Sequence, residues 1–247
     1  VCSSASGDSL RCPARYLFAF LSNHGALSVS GSPQWRVVDG GSRTYVERAA
    51  KQLTAVRTAT PVHAVTRHAD GITIRDDGDD AHEFERVVLA THANTALSML
   101  TDPTPAEQQA LAAFGYSENP TVLHTDASVL PKARRARASW NYQLRSCAAS
   151  SDHVTVSYDL TRLQHLRTAT PHLATLNPGG RIAPEAMIAE MTYEHPIFTR
   201  ESVAAQALLP ALNTGRTAFA GAYHGWGFHE DGCRAGAQAA ASMGAQW

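Results

Sequence analysis

The chain has 247 residues, 44% hydrophobic and 17% charged, enough for one large domain or two smaller interleaved ones with a buried core, and too apolar for a disordered segment. Lys and Arg total 21 against 22 Asp and Glu, a net charge of -1, so no polyanionic partner is called for and nucleic-acid binding is not expected. Cys2, Cys12, Cys147 and Cys233 form no CxxC pair and no metal-ligand spacing, a sparse usage that points to a reducing, cytoplasmic setting.

The chain opens at Val1, and VCSSASGDSL lacks the basic start and apolar core of a secretory signal, so it reads as a fragment. The densest N-terminal apolar run, Tyr16 to Leu21, falls far short of the roughly 18 residues of a membrane span, and no transmembrane segment is expected. Residues 15 to 27 carry Tyr16, Leu17, Phe20, Leu21 and Leu27 at near-helical spacing, with Asn23-His24-Gly25 as a stop, which predicts an ordinary packing helix. After Gly31-Ser32-Pro33 and Trp35 to Val38, the Asp39 to Ser42 turn leads into a second helical stretch from Tyr45 to about Leu53. Val62 to Val65 and Gly71 to Ile74 alternate as strands of a meander, and Asp76-Asp77-Gly78-Asp79-Asp80 turns into a third.

Arg86 to Ala90 is a continuous apolar run, the pattern of a strand covered on both faces, ended by Thr91-His92 before a helix from Ala93 to Leu100. Ligands often sit at such strand ends. Thr104-Pro105-Ala106-Glu107 is a capping box opening a helix to about Phe114. His153 to Leu160 reads as a strand, Asn177 to Gly180 as a loop, Met191 to Tyr193 as a short strand and Glu201 to Leu209 as a helix. The C-terminal segment reads as strand (Thr217 to Gly221), glycine-rich aromatic loop (Ala222 to Phe228) and helix from His229. On that helix Gly232, Ala235, Gly236, Ala239 and Ala240 make one face of small residues, against which something flat or closely packed must press. Its N-terminus follows a glycine loop, so its unpaired N–H groups and positive dipole end suit a carbonyl or an anion such as flavin O2.

Several chemistries find no support. No Ser sits in a G-x-S-x-G frame, and Lys51 and Lys132 lack the glycine loop of a phosphate-binding Walker motif. There are twelve histidines but no HExxH, and His224 and His229 flank a turn without a third ligand, so no metal site is expected. Lys132, Arg134, Arg135 and Arg137 follow Pro131 as a solvated loop would. Gly225-Trp226-Gly227 imitates the start of G-x-G-x-x-G, but its third position is Glu230 and the chain ends at Trp247, too soon for a ribose-binding acid.

The residues resemble the predicted NAD/FAD-binding proteins of the flavin-containing amine oxidoreductase superfamily, whose relatives include amine oxidases, protoporphyrinogen oxidase and carotenoid desaturases. The likeness rests on NHG (Asn23 to Gly25), PQWRVVDGGSRTYVER (Pro33 to Arg48), VVLATHA (Val87 to Ala93) and SWNY (Ser139 to Tyr142). It continues in TLNP (Thr175 to Pro178), TYEHPIFT (Thr192 to Thr199) and FAGAYHGWGFHEDGCRAG (Phe219 to Gly236). It implies an α/β (α+β mixed) fold, part of an FAD-binding Rossmann-like domain interleaved with a mixed-sheet substrate domain. Residues 1–35 and 101–208 then form the substrate domain, and 36–100 and 209–247 the FAD domain. Family members resemble one another first in an N-terminal βαβ unit with the G-x-G-x-x-G loop, and this chain resembles about the C-terminal three-fifths.

The same resemblance implies FAD as cofactor, with Val62 at its adenine side and Ala90, Thr91 and His92 at the adjacent strand end. Gly221 and Ala222 match the positions beside the ribityl chain; many relatives carry an acid at the latter, so Ala222 is a departure. Phe228 matches an aromatic wall beside the flavin, with core packing as the alternative, and His229 and Gly232 match the start of the helix aimed at the pyrimidine edge. The implied activity is hydride transfer from an organic substrate to flavin. His224 and His229 are the candidate proton-handling residues, either of which can instead be structural. Tyr223, Trp226 and Phe228, with Trp140 and Tyr142, favour an apolar or flat small molecule: an amine, a lipid or a polyene. The alternative is a non-catalytic fragment, or half of a split flavoprotein that needs an upstream polypeptide carrying the dinucleotide loop.

Overall fold

The structure, a computed structural model, describes residues 11–31, 34, 36–144 and 154–246. Cys2, Cys147, Pro33, Trp35 and His153 lie outside the described residues. The chain divides into two compact units, one formed by Ala14–Gly115 with Phe198–Trp247 and the other by Val1–Pro13 with Tyr116–Ile197. Helices and sheets occur together in the α/β, α+β mixed manner expected from the sequence.

The first unit begins with helix α1 (Ala14–Asn23). Helix α2 (Arg43–Ala50) buries none of its residues. Strands β1 (Val62–Arg67), β2 (Ile72–Asp76) and β3 (Ala81–Phe84) form an antiparallel meander. The acidic run turns as expected because Asp76 Oδ1 accepts from the N–H groups of Gly78 and Asp80, while Asp79 takes a φ of 59°. Val65 and Ile72 supply the meander's core side chains, each 1% exposed.

Strand β4 (Val87–Leu89) pairs in parallel with β10 (Thr217–Phe219), Val87 facing Thr217 and Leu89 facing Phe219. Two helices follow β4: α3 (Ala93–Met99) and α4 (Pro105–Leu111). The capping box of α4 is complete, with Glu107 N–H donating to Thr104 Oγ1 and Thr104 N–H to Glu107 Oε2. The helix stops at Leu111, short of Phe114, because Phe114 turns inward and is 3% exposed. Glu107 also receives Arg67 Nη1 at 2.6 Å, fastening α4 to β1. The apolar run of β4 predicts cover on both faces; Leu89 is buried, yet Val88 is 42% exposed.

Helix α6 (Arg200–Ala205) and helix α7 (His229–Ser242) complete this unit. The small face of α7 meets its neighbour here: Ala235 and Ala239 pack on Ala218 and Ala220 at β10, with Met243 beside them. A strand, rather than a flat ligand, presses on that stripe, since only methyl-sized side chains let a helix lie this close to backbone.

The second unit is a five-stranded sheet in the order β6-β7-β8-β5-β9, where β5 is Gly115–His124, β6 Trp140–Gln143, β7 Thr155–Asp159, β8 Leu173–Leu176 and β9 Met187–Ile197. A short helix, α5 (Leu160–Leu163), follows β7. The pairs β6–β7, β7–β8 and β5–β8 are antiparallel. Across this sheet Ser157, Thr175 and His124 join in one fully buried chain: Ser157 Oγ lies 2.8 Å from Thr175 Oγ1, which lies 2.8 Å from His124 Nε2. Asp126 N–H donates to His124 Nδ1, so Nε2 carries the proton and donates to Thr175. Asn177, at φ 52°, turns the TLNP segment and donates from Nδ2 to Asn119 Oδ1. Strand β9 runs eleven residues where the sequence predicts three; as an edge strand it shows little apolar alternation. Among the described residues no helix is long and apolar enough to cross a membrane.

Candidate functional site

The parallel register of β4 and β10 sends both chains out at one end, where the amide of Ala220 donates to Leu89 O at 3.0 Å. Thr91 and Gly221 are therefore neighbours: a methyl group added at Gly221 would lie 3.4 Å from Thr91 O. Ala90, Thr91 and His92 leave β4 together, and His92 is the N-cap of α3. Gly221 and Ala222 leave β10 into a single 3-10 turn, Ala222–His224. The carboxyl ends of adjacent parallel strands, with helices starting there, are where open α/β sheets hold ligands.

The glycine loop is tightly bonded within itself. Ala222 O accepts from the amides of Gly225 and Gly227, both at 3.1 Å, and Gly221 O accepts from His224 N–H. Tyr223 turns inward, 4% exposed, with its ring edge-on to Phe114 at 5.2 Å. His224 Nε2 is buried and has no hydrogen-bond partner among the described residues, and burial pushes the His224 pKa down to about 4. The ring is thus neutral at physiological pH. His229 is exposed in the first turn of α7.

At the start of α7 the carboxylate of Asp231, 5% exposed, reaches back into the loop and accepts from Trp226 N–H and Phe228 N–H. Phe228 O accepts from the amides of Asp231 and Gly232. That leaves His229 and Glu230 as the amides of the first turn from which no described residue accepts. Gly232 stands against the loop, where an added methyl would lie 3.9 Å from Ala222 N.

An aromatic wall borders this turn. Phe228 is 36% exposed and its ring lies 6.0 Å from that of Phe20 and 5.8 Å from that of His24, both presented by α1. Tyr16, one turn earlier, stacks on Phe198 at 4.2 Å and tilts against Trp226 at 5.4 Å. Tyr16 and Phe20, which the sequence places in an ordinary packing helix, and His24, which it places in the stop, thus pack on the loop itself. Val62 stands at the start of β1, paired with Asp76, and no hydrogen bond or ring contact joins it to the β4 and β10 ends among the described residues. Trp140 and Tyr142 lie on β6 in the other unit, 41% and 46% exposed.

Sequence reasoning missed two residues here, Asp231 and Gln206. Asp231 occupies the position where a capping box carries its acid, but the N-cap is Phe228, which gives no capping signal. Gln206, the C-cap of α6, donates from Nε2 to the carbonyls of Tyr223 and Gly225; no local pattern marks it. Among the described residues, no three His, Cys, Asp or Glu side chains group to hold a metal ion.

Two open amides, a partly exposed phenyl ring and two strand ends thus gather at the start of α7. In fold, the chain is similar to a CLA-producing fatty acid isomerase from P. acnes, with a TM-score of 0.57 and 15% identity over 83% of this chain and 52% of that one. It is also similar to a wild-type putrescine oxidase bound to putrescine, with a TM-score of 0.53 and 17% identity over 83% of this chain and 53% of that one. The chain spans about half the length of these structures. No curated protein sequence matches it. The flavin containing amine oxidoreductase family matches residues 3–129, half of the chain, as the sequence motifs lead one to expect. The chain belongs to the flavin-containing amine oxidoreductase family.

Proposed function

We propose that this chain forms the flavin-facing part of an FAD-dependent oxidoreductase that takes hydride from a small apolar or flat organic substrate, an amine, a lipid or a polyene. The observation that carries this reading is the convergence of Thr91 and Gly221 at one end of the β4–β10 pair, beside the first turn of α7. In it, residues 36–100 and 209–247 do the FAD-domain work and the remainder does the substrate-domain work, in the cytoplasm. FAD, were it bound there, would supply the hydride-accepting chemistry.

The chain's own groups suit that chemistry. The open amides of His229 and Glu230 are oriented donors, which cost no reorganisation when negative charge develops near them. Ala90, Thr91 and His92, with Gly221, Ala222 and Gly232, line the cofactor's path by backbone, and Val62 serves its adenine side. Phe228 excludes water from the reacting face, with Trp226 and Tyr223 behind it. Trp140 and Tyr142 present apolar area to substrate. His224, neutral down to about pH 4, is a hydrogen-bonding group at neutral pH, and His229, in the solvent, is the better placed of the two to take a proton.

Titration of the purified chain with FAD, followed by visible absorbance, tests this. About one flavin per chain is expected, and no uptake, either alone or beside an upstream polypeptide with a G-x-G-x-x-G unit, overturns it. A second reading is favoured by the exposure of Val88, which leaves an apolar strand face open: the chain is one half of a split flavoprotein. A colourless chain that takes up flavin only on mixing with such a polypeptide selects that reading.

A further inference from the structure

We propose that Asp231 and Gln206 are the positioning residues of the loop Gly221 to Phe228, an acid holding its amides and an amide holding its carbonyls. The purpose assigned to them rests on the flavin reading above; their geometry is this chain's own. Asp231 is 5% exposed, and a carboxylate that far from water persists only where hydrogen bonds replace its hydration. Its Oδ2 accepts from Trp226 N–H and Phe228 N–H, both at 3.0 Å, and its Oδ1 is 3.4 Å from Nη1 of the half-exposed Arg234. From the other side Gln206 Nε2 donates to Tyr223 O at 3.0 Å and to Gly225 O at 2.5 Å.

Gly225 is what lets the two grips meet. A methyl group there would overlap the Asp231 carboxylate, so the acid lies directly on the backbone of the loop. The residues between the grips are those that present His224 and Phe228. Asp231 engages the amides of Trp226 and Phe228 and leaves those of His229 and Glu230 open. A carboxylate adds a fixed negative charge behind the open pair, which tunes how strongly they attract electron-rich atoms.

Amide hydrogen exchange on the full 247-residue chain tests this, with Asp231→Asn, Asp231→Glu and Gln206→Ala compared with wild type, without and with FAD. In Asp231→Asn the amides of Trp226 and Phe228 exchange about tenfold faster or more, since an acceptor becomes in part a donor. Asp231→Glu restores protection, because Glu also closes this kind of cap. Gln206→Ala speeds exchange at Gly225 and Gly227 and keeps the proposal testable should Asp231→Asn fail to fold. In wild type, FAD slows exchange at His229 and Glu230; Asp231→Asn loses that response and Asp231→Glu keeps it.

Unchanged exchange at Trp226 and Phe228 in Asp231→Asn overturns the proposal, as does acceleration spread equally to Ala239 and Ala240 at the far end of α7. A wild-type chain whose His229 and Glu230 do not respond to FAD, either alone or beside an upstream polypeptide with a G-x-G-x-x-G unit, while the Trp226 and Phe228 pattern holds, sinks the flavin reading and leaves the clamp standing.

Discussion

Tyr16 donates its phenolic proton to the carbonyl oxygen of Trp226 at 2.7 Å, so α1 holds down the loop that leads into α7. Tyr16 is 6% exposed, and the bond is shielded from water. Tyr16→Phe keeps the ring that stacks on Phe198 and removes this bond, at a cost of about 1 kcal/mol. The variant should melt a few degrees lower and show faster proteolysis near Trp226; unaltered melting and cleavage would mean that α1 does not secure the loop.

Arg67 and Glu107 form a largely buried ion pair, reinforced by Asp102 at 3.1 Å. Burial tends to raise the Glu107 carboxyl, but the hydrogen bonds from Arg67 and Thr104, with the Arg67 charge, hold it below the ordinary 4.5. The same hydrogen bond to Glu107 raises the Arg67 guanidinium. Glu107→Gln should cost about 3 kcal/mol at neutral pH by leaving Arg67 short of its partner. A lowered carboxyl stabilises the fold above its unfolded value and loses that contribution as pH falls through the folded one. The gap between wild type and variant in urea unfolding should therefore narrow below pH 4.5; a gap constant from pH 7 to 3 would contradict the pairing.

How much of this was legible beforehand depends on how local each signal is. The capping box of α4 is written in four consecutive residues, and the strand, loop and helix from Thr217 onward in one short stretch, so both were found. Strand β5 escapes the sequence because Ser117, Glu118, Asn119 and Pro120 look like a turn; its extension comes from its place in the sheet, between β8, which pairs with Thr121 to His124, and β9. The small stripe on α7 announced that something lies close to it and could not say what; Ala218 and Ala220 answer that. Of the loop, the residues that face outward came from motif resemblance. Asp231 and Gln206, which hold it from behind, depend on partners that no spacing rule specifies.

His224 offers a pH signature. An unfolded histidine binds its proton near 6.5, whereas folded His224 stays neutral until about pH 4 because it is buried. Between those values the unfolded state carries more protons, so acidification favours unfolding by about 1.4 kcal/mol per pH unit and the effect levels off below the folded pKa. His224→Leu removes this contribution. The difference between the two stability profiles should slope from pH 6.5 to 4 and be flat above it; parallel profiles would show that the imidazole is not buried in the folded chain.

In the second unit, Thr175 stands between His124 and Ser157. Thr175→Val strands the Nε2–H of His124 and the Ser157 hydroxyl in a dry interior, and should cost about 2 kcal/mol or more. Ser157→Ala made in that background should cost far less than Ser157→Ala alone. Additive losses in this double-mutant cycle would dissolve the network into independent groups.

The pairing of β4 with β10 joins two strands that are separated in sequence by the long segment Tyr116–Ile197 of the second unit. During translation the ribosome releases Val87 to Leu89 long before Thr217 to Phe219 exist, so the nascent polypeptide carries β4 without its β10 partner until those residues are made. Bringing such distant ends together is an entropically slow, late event, and the exit of α7 from the tunnel times when the shared end of β4 and β10 first meets the helix that follows it.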